Sequence, residues 1–313
     1  MIPGEDRRDD VRRLTYVLVT PARNEESHIA RAIDAVLAQT KRPLRWIIVS
    51  DGSTDRTEEI VAAYAAEHDF IELMRSSRDV GPHDFGSKVN AFKLGYARLA
   101  GEPFDFVGNL DADVSFEPDY FEILLGRFAR EDHLGLAGGM VLELVDGEFR
   151  HRWISLNSVC GAVQLFRREV FERIGGFAPL RLGGVDSLAE IKTRMHGWSV
   201  ETFPDLKVKH HRRFTSGKRS IYSTRLYQGV VHYMLGYHPL FQLAAGLRRL
   251  AERPRIVGSL LVMSGYLWGF VGIRKRPVPD DVVRFLRSEQ RGRLRDALMG
   301  RGVRRMRGGS HDL

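Results

Sequence analysis

The sequence predicts an α/β fold, in which a mostly parallel central sheet is flanked by helices and followed by a helical C-terminal extension. From residue 14, short apolar runs rich in β-branched residues alternate with stretches whose apolar residues have helical spacing, which is typical of βαβ units. This alternation stops near residue 145. The chain has 313 residues, 43% of them hydrophobic, so it can bury a substantial core.

The first half of the chain contains four predicted strands with three helices between them. Each strand is a short apolar run, and the four are "LTYVLVT" (14–20), "LRWIIVS" (44–50), "FIELMRS" (70–76) and "FDFVGNL" (104–110). The helices have apolar residues three or four positions apart and cover residues 25–40, 54–68 and 86–100. Strands in such an arrangement run parallel, so their carboxyl ends meet at one edge of the sheet.

The second half is less regular. Residues 160–179 read as a strand followed by a helix, residues 187–197 as a helix that Gly197 closes, and "LKVKHH" (206–211) as a short strand. Two weakly charged segments follow, at 226–247 and 256–273, and both are flanked by basic residues.

Charge and cysteine content limit the function classes. The formal net charge of +8 favours anionic partners such as nucleotide phosphates, nucleic acid or an acidic membrane surface. Nucleic acid is not predicted, because no recognition module with an aromatic platform is present. Cys160 is the single cysteine, which excludes an intrachain disulfide and suits the cytoplasm. The charged start of the chain lacks the apolar segment of a signal peptide.

Two aspartates, Asp111 and Asp113, directly follow the fourth strand. Carboxylates at the end of an apolar strand must be hydrated, protonated or paired with a cation, and hard oxygen ligands suit Mg²⁺ or Mn²⁺. Aspartates are also common turn residues, so the pair alone is weak evidence. It gains weight because the first two strands also end in segments with polar groups at the same predicted edge, namely Thr20, Arg23 and Glu25 around Pro21, and Asp51.

Four segments together resemble the successive motifs of family 2 glycosyltransferases, and in particular those of bacterial cell-envelope or exopolysaccharide synthesis. They are "TPARNEE", "VSDGSTDRT", "NLDADVSF" and "GAVQLFRREVFERIGGF". The resemblance covers roughly residues 14–215. It implies the type A nucleotide-sugar-binding fold and a metal-dependent, inverting, hexosyltransferase-type enzyme. Such an enzyme moves a sugar from a nucleotide-diphospho-sugar, with a UDP-sugar favoured, to a glycan or lipid-linked acceptor.

The resemblance also implies roles for individual residues. The donor would be held by Thr20, Pro21, Arg23, Glu25, Asp51, Lys88 and Asp111. Asp113, together with Asp111, would bind Mn²⁺ or Mg²⁺, with His210 as a further ligand. A solvated helical lysine is the alternative for Lys88, and a structural or surface histidine is the alternative for His210. Because neighbouring strand residues point to opposite faces, His211 should not share the role of His210.

The catalytic base implied by the resemblance is Asp186. The sequence departs from the commoner Glu-Asp pair, because Val185 stands where the glutamate would be. Asp186 could instead cap the following helix, in which case Glu190 is the second candidate for the base. On the acceptor side the candidates are Trp153, Asn157 and Glu190, with core packing as the alternative for Trp153.

The predicted organisation has four parts. They are a mobile arm (1–13), a catalytic domain (14–215) with a donor half (14–115) and an acceptor half (116–215), a helical extension (216–290) and a basic tail (291–313). The segment 256–273 is predicted to lie on the inner face of the cytoplasmic membrane, which the basic tail would assist. A pair of buried helices and a transmembrane hairpin are the alternatives. The protein is thus expected to be cytoplasmic and peripheral to the membrane.

Two other functions fit part of the pattern. A sugar-phosphate nucleotidyltransferase would show a Gly-rich phosphate loop with Arg and Lys after the first strand, where this chain has "TPARNEE". A catalytically silent nucleotide-sugar-binding protein would have no reason to keep Asp111, Asp113 and Asp186 together. Without several evident transmembrane helices, the addition of a single sugar is expected rather than polymerisation.

Overall fold

The computed structural model describes residues 11–76, 85–145, 147–151, 155–212, 220–248 and 255–299. The chain divides into two compact units, residues 1–214 and residues 215–313. Residues 1–10 of the predicted mobile arm and residues 300–313 of the predicted basic tail lie outside the described residues.

A central sheet flanked by helices forms the first unit, as the sequence predicts, and this sheet is mixed. Its nine described strands are β1 (Tyr16–Ala22), β2 (Arg45–Ser50), β3 (Ile71–Arg75), β4 (Phe106–Leu110), β5 (Val114–Phe116), β6 (Leu134–Val145), β7 (Glu148–His151), β8 (Val163–Arg167) and β9 (Ser199–His210). Their order is β3-β2-β1-β4-β8-β6-β9-β5, with β7 paired to β6. Strands β1 to β4 are parallel, whereas β8 runs antiparallel to β4 and to β6.

The sheet is buried on both faces, because apolar side chains cover it from either side. On β1, Tyr16 and Leu18 belong to one core cluster, whereas Val17 and Val19 belong to the other. This alternation follows from the period of two in a strand. The helices of this unit are α1 (Ile29–Leu37), α2 (Thr57–Glu67), α3 (Phe85–Arg98), α4 (Tyr120–Arg130), α5 (Arg168–Arg173) and α6 (Val185–Met195).

The loops after β1 and β2 are joined at the carboxyl edge of the sheet. Asn24 adopts a left-handed backbone conformation with φ of 53°, and its Oδ1 accepts a hydrogen bond from the backbone N–H of Thr54 at 2.8 Å. The backbone N–H of Glu25 donates to Thr57 Oγ1 at 2.7 Å. These contacts fix Glu25 beside the end of β2.

Four strands differ from the sequence prediction. Strands β5, β6 and β7 were not predicted. Strand β9 begins at Ser199 rather than at residue 206, and its pairing with β6 shifts between Gly139 and Met140. A bulge of this kind accommodates Pro204, which has no N–H to give to a ladder.

The second unit contains four described helices, namely α7 (Ile221–Leu235), α8 (Pro239–Arg248), α9 (Arg255–Gly272) and α10 (Asp280–Leu298). Gly236, with φ of 87°, ends α7, and Ser220 caps its start by accepting a hydrogen bond from the N–H of Ser223. Helix α10 buries Val282 and Leu286 and includes residues 291–298, so this part of the predicted tail is helical. No helix among the described residues is long and apolar enough to cross a membrane.

Candidate active site

Asp111, Asp113 and His210 converge at the carboxyl end of β4. One ligand atom from each lies within 4.8 Å of the others. The pairing of β5 with β9 produces this convergence, because Val114 is the register partner of His210. The structure therefore brings together the three metal-binding candidates predicted from sequence.

The donor atoms of this cluster fit a divalent cation. The Oδ1 atom of Asp113 is buried and has no hydrogen-bond partner among the described residues. It lies 3.3 Å from Nε2 of His210. Two carboxylates and one imidazole form a donor set that suits Mn²⁺, and oxygen ligands also suit Mg²⁺.

The charges within the cluster are mutually dependent. Burial alone would raise the pKa of Asp113, but the neighbouring His210 and Arg212 outweigh burial and lower it. Burial likewise opposes protonation of His210, yet contact with Asp113 raises the pKa of the imidazole overall. For Asp111, burial dominates and raises the pKa of the carboxyl, although Lys88 opposes this effect. A bound cation would favour the ionised form of both carboxylates.

Lys88 lies inside this site. Its Nζ atom donates a hydrogen bond to Asp111 Oδ1 at 2.5 Å, which connects α3 to the end of β4. Burial opposes the charge of Lys88, but Asp111 outweighs burial and raises the pKa of the ammonium group. Lys88 is therefore ion-paired with Asp111, while its side chain remains 38% exposed.

Arg212 links two parts of the site that are distant in sequence. Its guanidinium group lies 3.5 Å from Asp113 Oδ2 and forms an ion pair with Glu25. Burial and the carboxylate of Asp113 raise the pKa of Glu25 to about 7, although Arg212 opposes them. His211 has a different role from His210, because its Nε2 atom lies 2.7 Å from Ser115 Oγ.

The other predicted donor-binding residues are placed unequally. Thr20 is fully buried, and its hydroxyl oxygen accepts a hydrogen bond from the Trp46 indole at 2.9 Å. The Thr20 hydroxyl is therefore engaged inside the fold and is not exposed to a ligand. Asp51 is also buried, but its Oδ2 atom has no hydrogen-bond partner among the described residues, so it can accept one from a ligand. Pro21 and Arg23 are half-buried.

Asp186 lies in the first turn of α6, after Gly184 as the capping residue. The alternative of Asp186 as the helix cap is therefore wrong. A Cβ atom added to Gly161 would lie 3.2 Å from Asp186 Oδ2, so the carboxylate packs directly against this glycine. Gly161 is itself held against β4, because its carbonyl accepts a hydrogen bond from the Asn109 amide at 2.6 Å.

Glu190 lies one helical turn after Asp186 and is only 5% exposed. Its Oε1 atom accepts hydrogen bonds from the Ser158 hydroxyl at 3.0 Å and from the Val159 N–H at 2.9 Å. Burial and the charge of Asp186 raise the pKa of Glu190 to about 8. Its burial makes it a weaker candidate than Asp186 for contact with an acceptor.

The remaining acceptor candidates are Asn157, which is exposed, and Trp153, which lies outside the described residues. Sequence reasoning missed Gly161 and Asn109. A signal existed for Asn109, because the strand period of two puts it on the same side as Asp111. No sequence signal connects Gly161 with Asp186.

Comparisons with known proteins agree with this geometry. The family model described as Glycosyl transferase family 2 matches residues 17–181, just over half of the chain. A chondroitin synthase of Pasteurella multocida is 30% identical over 135 residues, which cover 43% of this chain and 13% of the synthase. The chain thus corresponds to a small part of that relative.

Two solved structures share the fold. The mannosyltransferase PcManGT from Pyrobaculum calidifontis, in complex with GDP-Man and Mn²⁺, has a TM-score of 0.58 at 17% identity and covers 83% of this chain and 88% of its own. Residues 1–349 of TarS from S. aureus, in complex with UDP-GlcNAc, have a TM-score of 0.54 at 15% identity and cover 91% of this chain and 88% of their own.

Proposed function

Because this chain belongs to glycosyl transferase family 2, we propose that it transfers a sugar from a nucleotide-diphospho-sugar to an acceptor hydroxyl group, with inversion at the anomeric carbon. The observation that carries this proposal is the cluster of Asp111, Asp113 and His210 at the shared edge of the parallel strands. This edge is where open α/β sheets bind their ligands, and Asp186 packs nearby against Gly161.

The donor would lie across the ends of β1, β2 and β4. Asp51 offers an unpartnered buried oxygen to the nucleoside, while Arg23 and Glu25 line the loop after β1. Lys88 adds a positive charge near the diphosphate. We favour a UDP-sugar, although the two similar structures contain GDP-Man and UDP-GlcNAc respectively.

Asp111, Asp113 and His210 would hold Mn²⁺ or Mg²⁺. When bound, such an ion supplies positive charge that stabilises the departing diphosphate. The residues of the site orient the donor, and Arg212 can bring its own charge to the same region, because its guanidinium group already contacts Asp113 and Glu25.

Asp186 is the proposed general base. It would take the proton from the acceptor hydroxyl as that oxygen forms a bond to the anomeric carbon and the bond from this carbon to the diphosphate breaks. Asp186 is not among the three clustered metal-binding candidates, which leaves its carboxylate for the acceptor hydroxyl. Its contact with Gly161 fixes its position relative to the end of β4.

The acceptor is proposed to be a glycan or a lipid-linked sugar of bacterial envelope or exopolysaccharide synthesis, at the inner face of the membrane. The similarity to a chondroitin synthase supports a glycan acceptor. Asn157 and Trp153 are the proposed contacts on this side. One sugar is expected to be added at a time.

The test is a panel of UDP-, GDP- and dTDP-sugars with Mn²⁺ and candidate acceptors, in which release of the nucleoside diphosphate is measured. Wild-type protein should release one diphosphate, and Asp186→Asn should lose turnover while still binding the nucleotide. Pyrophosphate release would instead support a nucleotidyltransferase. Nucleotide-sugar binding without turnover of any acceptor would favour the catalytically silent binding protein.

A further inference from the structure

Helix α9 packs closely against α7 at three glycines, beside ring contacts of Tyr233 with Tyr266 and Phe270. A Cβ atom added to Gly265 would lie 1.8 Å from the carbonyl oxygen of Leu226, and one added to Gly229 would lie 2.0 Å from that of Val262. A Cβ atom on Gly269 would lie 2.8 Å from Tyr233 Cβ. The backbones of the two helices are therefore in direct contact.

The opposite face of α9 carries its large apolar side chains. Seven of them are more than half exposed, namely Ile256, Val257, Leu260, Leu267, Trp268, Phe270 and Val271. At 100° per residue these positions fall on one side of the helix, and the buried positions Gly258, Val262, Gly265, Tyr266 and Gly269 fall on the other. Among the exposed positions between residues 256 and 271, only Ser264 is polar.

A second stripe of the same kind lies on α8. Leu240, Leu243 and Leu247 are between 50% and 62% exposed, and their spacing places them on one helical face. Helices α8 and α9 are neighbours, because the Ser259 hydroxyl donates a hydrogen bond to the carbonyl of Gly246 at 2.9 Å. The apolar surface therefore extends beyond a single helix.

This arrangement reverses the usual pattern of a helix in water. A water-soluble helix turns its apolar face inward and its polar face outward, and isolated apolar patches on soluble monomers rarely exceed a few hundred Å². Small residues between helices with large apolar residues outside are characteristic of helices surrounded by lipid. The packing of α9 therefore favours lipid over water as its outer environment.

Positive charge borders this surface. Arg274 and Lys275, which follow α9 after Ile273, are both exposed. They line a 460 Å³ cleft together with Arg276, Tyr233 and Asp280. The Nε atom of Arg276 donates a hydrogen bond to the carbonyl of Tyr233 at 3.0 Å, so this guanidinium group is held within the fold. Arg274 and Lys275 therefore supply the positive charge for an external anion. Such cations complement lipid phosphates but not a second copy of a chain whose net charge is +8.

We propose that the outer face of α9 inserts into the headgroup region of an anionic bilayer, with the helix axis in the membrane plane and Arg274 and Lys275 against lipid phosphates. This inference rests on the membrane location given in the proposed function, and it assigns that location to one helix. The leucine stripe of α8 enters the same layer. Trp268, which is 74% exposed, lies at headgroup level, where tryptophan is favoured.

The test is co-sedimentation of the full chain with vesicles of phosphatidylcholine alone or with added phosphatidylglycerol. Leu267→Glu and Trp268→Glu should each lower the partition coefficient at least about tenfold, because a charge is inserted into the apolar layer. Ser288→Glu adds the same charge at an exposed position of α10 and should leave the partition coefficient unchanged. Arg274→Gln with Lys275→Gln should lose roughly 30-fold on anionic vesicles only, since each basic residue near such a surface contributes about 1 kcal/mol.

Fluorescence provides a second readout. The emission of wild-type protein should shift to shorter wavelength on anionic vesicles, and Trp268→Phe should remove the shift while leaving binding nearly unchanged. The inference is overturned if wild-type protein does not bind the vesicles. It is also overturned if Leu267→Glu and Trp268→Glu bind them as strongly as Ser288→Glu does. A dimer in light scattering that Trp268→Glu dissociates would assign the face to a second copy and overturn it as well.

Failure of this inference is distinguishable from failure of the proposed function. Metal-dependent nucleotide binding without vesicle binding would contradict only the proposed membrane surface. Vesicle binding without any nucleotide binding would contradict only the proposed transferase activity. Circular dichroism of each variant excludes misfolding as the cause of either loss.

Discussion

Lys88 on α3 donates a hydrogen bond to Oδ1 of Asp111 at the end of β4, across 2.5 Å. The two residues are 23 positions apart in sequence, and their contact ties a helix to the strand end that carries the proposed metal ligands. The side chain of Lys88 is 38% exposed, so a ligand can reach it. The ammonium group is thus paired with Asp111 and accessible to a donor phosphate.

Removal of this charge should weaken donor binding. Lys88→Met is expected to reduce the affinity for the nucleoside diphosphate about 10- to 100-fold, since hydrogen bonds to charged groups contribute roughly 1.5–3 kcal/mol. Calorimetry with Mn²⁺ measures the change. Lys93→Met is the matched control, because Lys93 lies on the same helix but is exposed. Equal affinities of the two variants would remove Lys88 from the donor site.

Replacement of the proposed base should affect turnover rather than binding. Asp186→Asn is expected to lower kcat by roughly 100- to 10,000-fold, which is the usual contribution of a general base, with little change in the KM for the donor. Steady-state kinetics give both values. Asp69→Asn, at an exposed position, controls for the loss of one negative charge. Near-wild-type turnover of folded Asp186→Asn would exclude Asp186 as the base.

The packing of Gly161 against Asp186 permits a finer test. The new methyl group in Gly161→Ala would lie 3.2 Å from Asp186 Oδ2 and should displace the carboxylate. We expect kcat to fall about 10- to 100-fold, because small misplacements of reacting groups are costly, while the melting temperature changes little. Gly126→Ala, whose methyl group meets only Val11 at 3.8 Å, should leave kcat unchanged. Full activity of Gly161→Ala would show that the position of Asp186 does not depend on this contact.

Glu190 should make stability depend on pH. Its pKa is raised from 4.5 to about 8 in the folded protein, so between these values the folded state binds more protons than the unfolded state. The free energy of unfolding should therefore fall as the pH rises through this window. The upper bound of the loss is roughly 5 kcal/mol, at 1.36 kcal/mol per pKa unit.

Glu190→Gln isolates this effect, because glutamine can still accept the hydrogen bonds of Ser158 and Val159 but cannot ionise. Urea unfolding of both proteins between about pH 5 and about pH 8 gives their free energies of unfolding. The stability of the variant relative to the wild type should increase as the pH rises. The neighbouring charges on its helix are Asp186 and Arg194, and both remain in the variant. A constant difference across this range would contradict the raised pKa.

The close contact of α7 and α9 predicts a large difference between two glycines. Gly265→Ala places a methyl group 1.8 Å from a backbone oxygen and should destabilise the second unit by about 3 kcal/mol or more. Gly246→Ala in α8 meets nothing within 4 Å and should be neutral or stabilise by up to about 1 kcal/mol. Thermal unfolding compares them. Equal stability of the two variants would contradict the direct backbone contact.

The sequence predicts the first part of the sheet well, because β1, β2 and β4 are apolar runs that need no distant partner to be recognised. Strand β6 escapes prediction because its glycines weaken the strand pattern. Those glycines are required by neighbours that are distant in sequence. A Cβ atom on Gly138 would lie 2.6 Å from the carbonyl oxygen of Val163, and one on Gly139 would lie 2.4 Å from that of Leu206.

The candidate site shows the same division between local and distant information. Asp111, Asp113 and His210 follow from motifs, and strand alternation separates His210 from His211. Thr20 lies on the same side of β1 as Tyr16 and Leu18, and both faces of this apolar strand are covered, so its burial could have been predicted. The environment of Glu190 could not, because its partners Ser158 and Val159 lie 32 and 31 positions away.

The proposed donor site depends above all on the pairing of a nucleoside diphosphate with a cation at Asp113. We would therefore measure binding of UDP, GDP and dTDP by calorimetry, with and without Mn²⁺, to wild-type protein and to Asp113→Ala. Binding of one nucleotide should require Mn²⁺ and should be lost in Asp113→Ala. If folded wild-type protein binds none of the three, or if Asp113→Ala binds as well as the wild type, the proposed metal-dependent donor site is contradicted.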